Sequence, residues 1–180
     1  MKKVLLLSLA VLMVASMASA QGFFGIYSDA DTYGDCNLED VSFGLCPVYL
    51  VQHFANGISS SMMVQDNSGL TSTGVTTHTL LVIGNVFTGV DFSYGACLGP
   101  TVLLATLNYF CQGLAPGCTD ISVVPHPETG VITLVDCAAV AADTQGGVLT
   151  VNGDTSCPCT GGPNPVEESS WGQIKALYTD

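Results

Sequence analysis

The chain has 180 residues, 48% of them hydrophobic, with 15 Asp and Glu against three Lys, no Arg and a formal net charge of −12. A surface this acidic repels phosphate backbones and anionic membranes, which bind through lysine and arginine, so nucleic acid is excluded as a partner. So few cations also leave salt bridges little to contribute, and something else has to hold the fold.

In chain order, residues 1–20 read as a signal peptide. Lys2 and Lys3 open it, VLLLSLAVLMVA is a short apolar run, and Ala18-Ser19-Ala20 is a small-residue cleavage pattern. The run is shorter than the ~20 residues a membrane-spanning helix needs, and no later stretch is apolar for long enough. The mature chain is expected to start at Gln21 and to be secreted, extracellular or periplasmic, with no membrane span. Lys175 is then its only Lys or Arg.

A first strand is predicted over FGIYS (24–28). Phe23, Phe24, Tyr27 and Tyr33 cluster here. Phe24 and Tyr27 are expected to fill the core, while aromatics on a rigid scaffold can also stack on a glycan or anchor a protein. DADTYGDCNLED follows, placing Asp29, Asp31, Gly34, Asn37 and Asp40 at positions 1, 3, 6, 9 and 12 of a calcium loop. Asp29, Asp31, Asp35 and Asp40 are therefore the candidate metal ligands, and calcium the candidate cofactor. Against an EF-hand stand Tyr33 at position 5, Asp40 where a bidentate glutamate is usual, and flanks that read as strands. The expected alternative is an acidic turn between the first two strands, pinned by Cys36.

Further strands are predicted over PVYLVQHF (47–54), SMMVQ (61–65), VTTHTLLVI (75–83), GVDFSY (89–94), TVLLATLNYF (101–110), ISVVP (121–125), GVITLVD (130–136) and VLTVN (148–152). These are rich in valine, threonine and aromatics and bounded by turn residues. The serines of SSSMM read as a small polar turn. Tyr109 stands two residues before Cys111, the spacing of a tyrosine corner, although no tryptophan lies between Cys46 and Cys111. From Thr160 to Ser169 the connector TGGPNPVEES leads into a docking or sorting tail in which Trp171, Ile174, Leu177 and Tyr178 fall three and four apart, residues 161–180 forming linker and tail.

Eight or nine strands at near-regular spacing, with no long helical pattern, predict an all-β antiparallel sandwich, Ig-like in the broad sense, over residues 21–160. All eight cysteines (Cys36, Cys46, Cys97, Cys111, Cys118, Cys137, Cys157, Cys159) lie after the signal, and an even number in an exported chain predicts four disulfides. Cys157 and Cys159 must take different partners. Cys111 and Cys118, closing Gln-Gly-Leu-Ala-Pro-Gly, are the expected short staple.

Catalytic patterns are sparse. DFSYG lacks the first glycine of a nucleophile elbow. Glu39, Asp40, Glu128, Glu167 and Glu168 sit in turn or linker contexts, as solvated acids do. His53, His78 and His126, with Glu128, are the candidate ligands of a metal-dependent hydrolase, but no two histidines have the spacing that puts both rings on one element.

GIYSD with a following CN pair, VYLVQHF, TGVDFSYGACLGP, LNYF, VVPHP, VDC, the Cys-Pro-Cys segment and WGQIKALY together resemble a group of small secreted cysteine-containing proteins of environmental bacteria. The resemblance implies secretion and a cysteine-stapled domain, and names no activity. This chain ends Thr179-Asp180 where that group carries a basic residue. The expected function is a non-catalytic structural, adhesive or ligand-binding module at or beyond the cell surface, its partner a glycan, a protein or a second copy. A calcium-dependent binding module using the Asp29–Asp40 loop is the first alternative, and the histidine hydrolase the second.

Overall fold

The computed structural model describes residues 22–41, 43–157 and 159, and among them there are strands and no helix. The expected signal peptide, residues 1–20, and the expected tail with Trp171, Ile174, Leu177 and Tyr178 lie outside the described residues. The strands are β1 (Phe23–Tyr27), β2 (Asn37–Leu38), β3 (Gly44–His53), β4 (Gly57–Asp66), β5 (Thr71–Thr77), β6 (Leu81–Asn85), β7 (Gly89–Leu98), β8 (Thr101–Cys111), β9 (Thr119–Val124), β10 (Thr133–Val135), β11 (Ala141–Asp143), β12 (Gln145–Gly146) and β13 (Val148–Val151).

They form the expected sandwich. One sheet has the order β12-β1-β3-β8-β5. The other runs β11-β10-β4-β9-β13-β2, with β7 on the remaining side of β4 and β6 beyond it. Pairing is antiparallel except at two edges, where β12 joins β1 and β2 joins β13 in parallel.

Alternation explains the layers, because successive strand residues face opposite sides. Phe24 and Ile26 of β1, Val48 and Leu50 of β3 and Leu107 of β8 point inward from the first sheet, and so does Leu104, because a bulge in β8 opposite Leu50 and Val51 shifts the alternation by one residue. Met62 and Val64 of β4, Val90 and Phe92 of β7, Ile121 and Leu149 meet them from the second. All are essentially inaccessible to water, and each such burial stabilises by about 1.5–3 kcal/mol. One polar bridge crosses this core: the Tyr94 hydroxyl donates to Gln52 Oε1 at 2.6 Å.

Several expectations need correction. The run 75–83 is two strands in different sheets: His78 is still held to β8, its N–H by Leu104 O at 2.9 Å and its ring by Thr106 Oγ1 at 2.9 Å, and the chain then bends at Thr79 and Leu80 into β6. The serines of SSSMM lie inside β4, not in a turn. Cys111 pairs with Cys46 on the adjacent strand, while Cys118 pairs with Cys157, so the 111–118 staple does not exist. The register decides this, since Tyr109 faces Cys46 and the end of β8 therefore lies beside the start of β3. Cys36–Cys159 and Cys97–Cys137 complete the set, so Cys157 and Cys159 do take different partners. The buried Tyr109 hydroxyl has no hydrogen-bond partner, so it forms no tyrosine corner; burial, with the Asp66 charge, pushes its ionisation far above the usual phenol range.

Candidate docking faces and the sequence-predicted sites

The acidic loop is organised by its own amides. The Asp29 carboxylate accepts the N–H of Thr32 (3.0 Å), Gly34 (2.9 Å) and Asp35 (2.8 Å) and the Thr32 hydroxyl (2.5 Å). Desolvation works against ionisation there, but these bonds outweigh it and hold the carboxyl down at about 2. Asp35 accepts the N–H of Asn37, and Asp31 is exposed.

Asp40 is occupied elsewhere and, contrary to the expected solvated acid, is buried. Its Oδ1 accepts the N–H of Gln112 (2.7 Å) and Gly113 (2.8 Å), and its Oδ2 that of Ala115 (2.7 Å). Desolvation is again overcome, and its carboxyl is held below the ordinary range. Among the described residues no three of Asp29, Asp31, Asp35 and Asp40 bring carboxylate oxygens together. The described group that does converge is Cys118, Asp154 and Cys157, whose two sulfurs are bonded to each other.

The loop has a structural product. Tyr33, at φ 49°, lies over the outer face of β1 and β3, with its ring 6.1 Å from Tyr27, 6.4 Å from Tyr49 and 6.1 Å from His53. Tyr27 folds back across Gly25, where a side chain would collide with its ring. Burial, and then the Asp29 charge, push its hydroxyl up to about 12. Tyr27 is thus buried as expected, but outside the core. Phe23 stacks on His53 at 5.1 Å, and burial lowers the pKa of that imidazole, whose Nε2 has no partner.

The three histidines stay apart. His53 is in this aromatic cluster, His78 is bound to Thr106, and His126 accepts the Glu128 N–H at 3.3 Å in a turn after β9.

Charge divides the two sheets. No strand of the β12-β1-β3-β8-β5 sheet carries Asp, Glu, Lys or Arg, whereas the other sheet carries Asp66, Asp91, Asp120 and Asp143.

The outer face of this second sheet holds a groove of about 280 Å³. Cross-strand register builds it from two rows. Leu81, Ser93, Ser59 and Val135 form one, and Ile83, Asp91, Ser61 and Thr133 the other, each crossing β6, β7, β4 and β10 in turn. Serines on the middle strands make a low floor, and larger side chains on the outer strands make walls. Leu81 is 54% and Ile83 61% exposed. Cys97–Cys137 fastens the end of β7 to the turn after β10. Sequence reasoning passed over this site, although Ser59 and Ser61 at strand spacing, with Leu81 and Ile83 likewise, were its signal.

No protein-family model and no curated protein matches the chain. Solved structures share its fold. A chain of the complex of CaDoc0917 with CaCohA2, from Clostridium acetobutylicum, superposes with a TM-score of 0.50 at 14% identity, covering 72% of this chain and 99% of that one. A chain of the Coh-OlpA–Doc918 complex of Clostridium thermocellum, a type I cohesin–dockerin pair, gives 0.53 at 10% identity, covering 73% and 99%. The fold is that of the cohesin β-sandwich.

Proposed function

We propose that this is a non-catalytic protein-docking module, working at or beyond the cell surface, whose groove on β6, β7, β4 and β10 receives a helix of another protein. The groove itself is the observation that carries the reading. Its walls stand three strand spacings apart, about 14 Å, which admits one helix of about 10–12 Å diameter. Exposed Leu81 and Ile83 supply apolar contact, the serines and Thr133 supply hydrogen bonds, and Asp91 is the one charge. That composition fits an amphipathic helix presenting aliphatic residues beside a lysine or arginine. Partnership of cohesins with dockerins in the complexes of like fold is in keeping with it. Docking is read as independent of calcium, because the oxygens of Asp29 and Asp40 are engaged by backbone amides.

A photo-cross-linking residue placed at Ser61, against a control at Thr106 on the opposite sheet, tests this on native cells. One protein should be captured from Ser61 alone, and Leu81→Asp with Ile83→Asp should abolish capture. Equal capture from both positions, or from neither, rejects the groove.

A further inference from the structure

A second exposed apolar area lies at the other side of the molecule, where β3 begins and β8 ends. Val41 is 73% exposed, Phe43 79%, Leu45 70% and Leu114 78%. They are contiguous: Leu45 faces Phe110 across the strands, the Phe43 and Phe110 rings are 6.3 Å apart, and Leu114 and Phe110 line one hollow. Leu114 stands outward because the buried Asp40 grips the amides on both sides of it. A patch of this kind, on a rigid base, marks an interaction surface.

The described chain also finishes at this end. Cys159 is bonded to Cys36, and β2, which begins at the next residue, Asn37, pairs with β13. Asn152, next after β13, binds the Asp40 N–H at 2.8 Å and Ala115 O at 3.1 Å. The sequence beyond Cys159 therefore departs within a few residues of Val41 and Leu114. It holds Trp171, Ile174, Leu177 and Tyr178, together with Lys175, the one Lys or Arg that follows the signal peptide. Residues 160–170 reach about 36 Å when extended, ample for the apolar residues to return to the patch.

We propose that the patch of Val41, Phe43, Leu45, Phe110 and Leu114 is the docking site of the chain's own C-terminal segment, Ser169 to Asp180. Trp171 and Ile174 supply the apolar contact that these exposed side chains lack. Lys175 brings a positive charge to an end of the molecule that carries exposed Glu39, which no other segment of this acidic chain can do. Attachment through Cys36–Cys159 raises the effective concentration of the segment at the patch, which favours it over a free partner.

Trp171 is the only tryptophan, so its fluorescence in the full mature chain reads the contact directly. Blue-shifted emission, shielded from acrylamide and independent of protein concentration, is expected. Phe43→Ser with Leu114→Ser, at positions too exposed to threaten folding, should move emission to the red and raise quenching several-fold, while Leu81→Ser with Ile83→Ser in the groove should leave both unchanged. Emission of a fully hydrated indole in the parent protein overturns the proposal. So does a response to the groove variant alone, or shielding that appears only with a dimer in sedimentation, which assigns the patch to a second copy.

Discussion

The Asn152 carboxamide accepts the Asp40 N–H at 2.8 Å across 112 residues of sequence, and its amide group donates to Ala115 O. Asp40 in turn accepts three amides from the 112–115 loop. One closed polar cluster thus fixes three separate parts of the chain. Asp40→Asn keeps the shape but sets an NH2 group against amide donors, and should lower unfolding stability in urea by about 2–3 kcal/mol. Asn152→Ala should cost about 1–2 kcal/mol. A loss below 0.5 kcal/mol for both would show that water replaces these bonds.

Acid should weaken the fold through the same carboxylates. The folded-state pKa of Asp29 is lowered from 3.8 to about 2, and that of Asp40 is lowered too. A depressed carboxyl contributes stability above its unfolded pKa and loses it as pH falls through the folded one. The melting temperature should therefore hold from neutral pH down to about 4 and then drop between about 4 and 2. Asp40→Asn should flatten that drop in part.

Cation removal is a separate matter. With Asp29 and Asp40 already saturated by internal donors, melting curves in excess EDTA and in millimolar calcium should coincide. A rise in calcium would reinstate a metal site in the acidic loop.

His53 carries a buried, unpartnered nitrogen among aromatic rings. Replacing an orphaned polar group with an apolar one of similar shape is neutral or favourable, so His53→Phe should raise stability by up to about 1 kcal/mol. Destabilisation beyond 1 kcal/mol would mean that the imidazole finds a partner in solution.

The disulfides should be unequal in worth. Cys36–Cys159 closes a separation of 123 residues and Cys118–Cys157 one of 39. On chain entropy alone the longer loop stabilises by about 1 kcal/mol more. Denaturation of the two double-serine variants measures the difference.

Strand positions were legible because valine, threonine and aromatic residues alternate between turn residues, as in β3, β7 and β8. The four disulfides were legible as a set, from the even count of eight cysteines in the chain. Their pairing was not, since the register of β3 against β8 is set by contacts far apart in sequence. Asp40 shows the same limit: it reads as a loop acid until the donors more than seventy residues later are brought to it. Short β2, β11 and β12 have no strand signature of their own and exist because a neighbour offers a free edge. The groove was hidden because serine in a strand looks like a turn residue, and only four strands side by side turn its small size into a depression.

Both ends of the domain close late. The strands β1 and β2 receive β12 and β13 as partners, and Cys36 receives Cys159, so the earliest segments of the sandwich stay unfinished until its last segments are available. A chain of this topology that emerges with its N-terminus first would remain an open polymer until nearly all of the domain is present. Such non-local closure makes folding slow, because β1, β2 and Cys36 find their last partners only when the end of the domain is present.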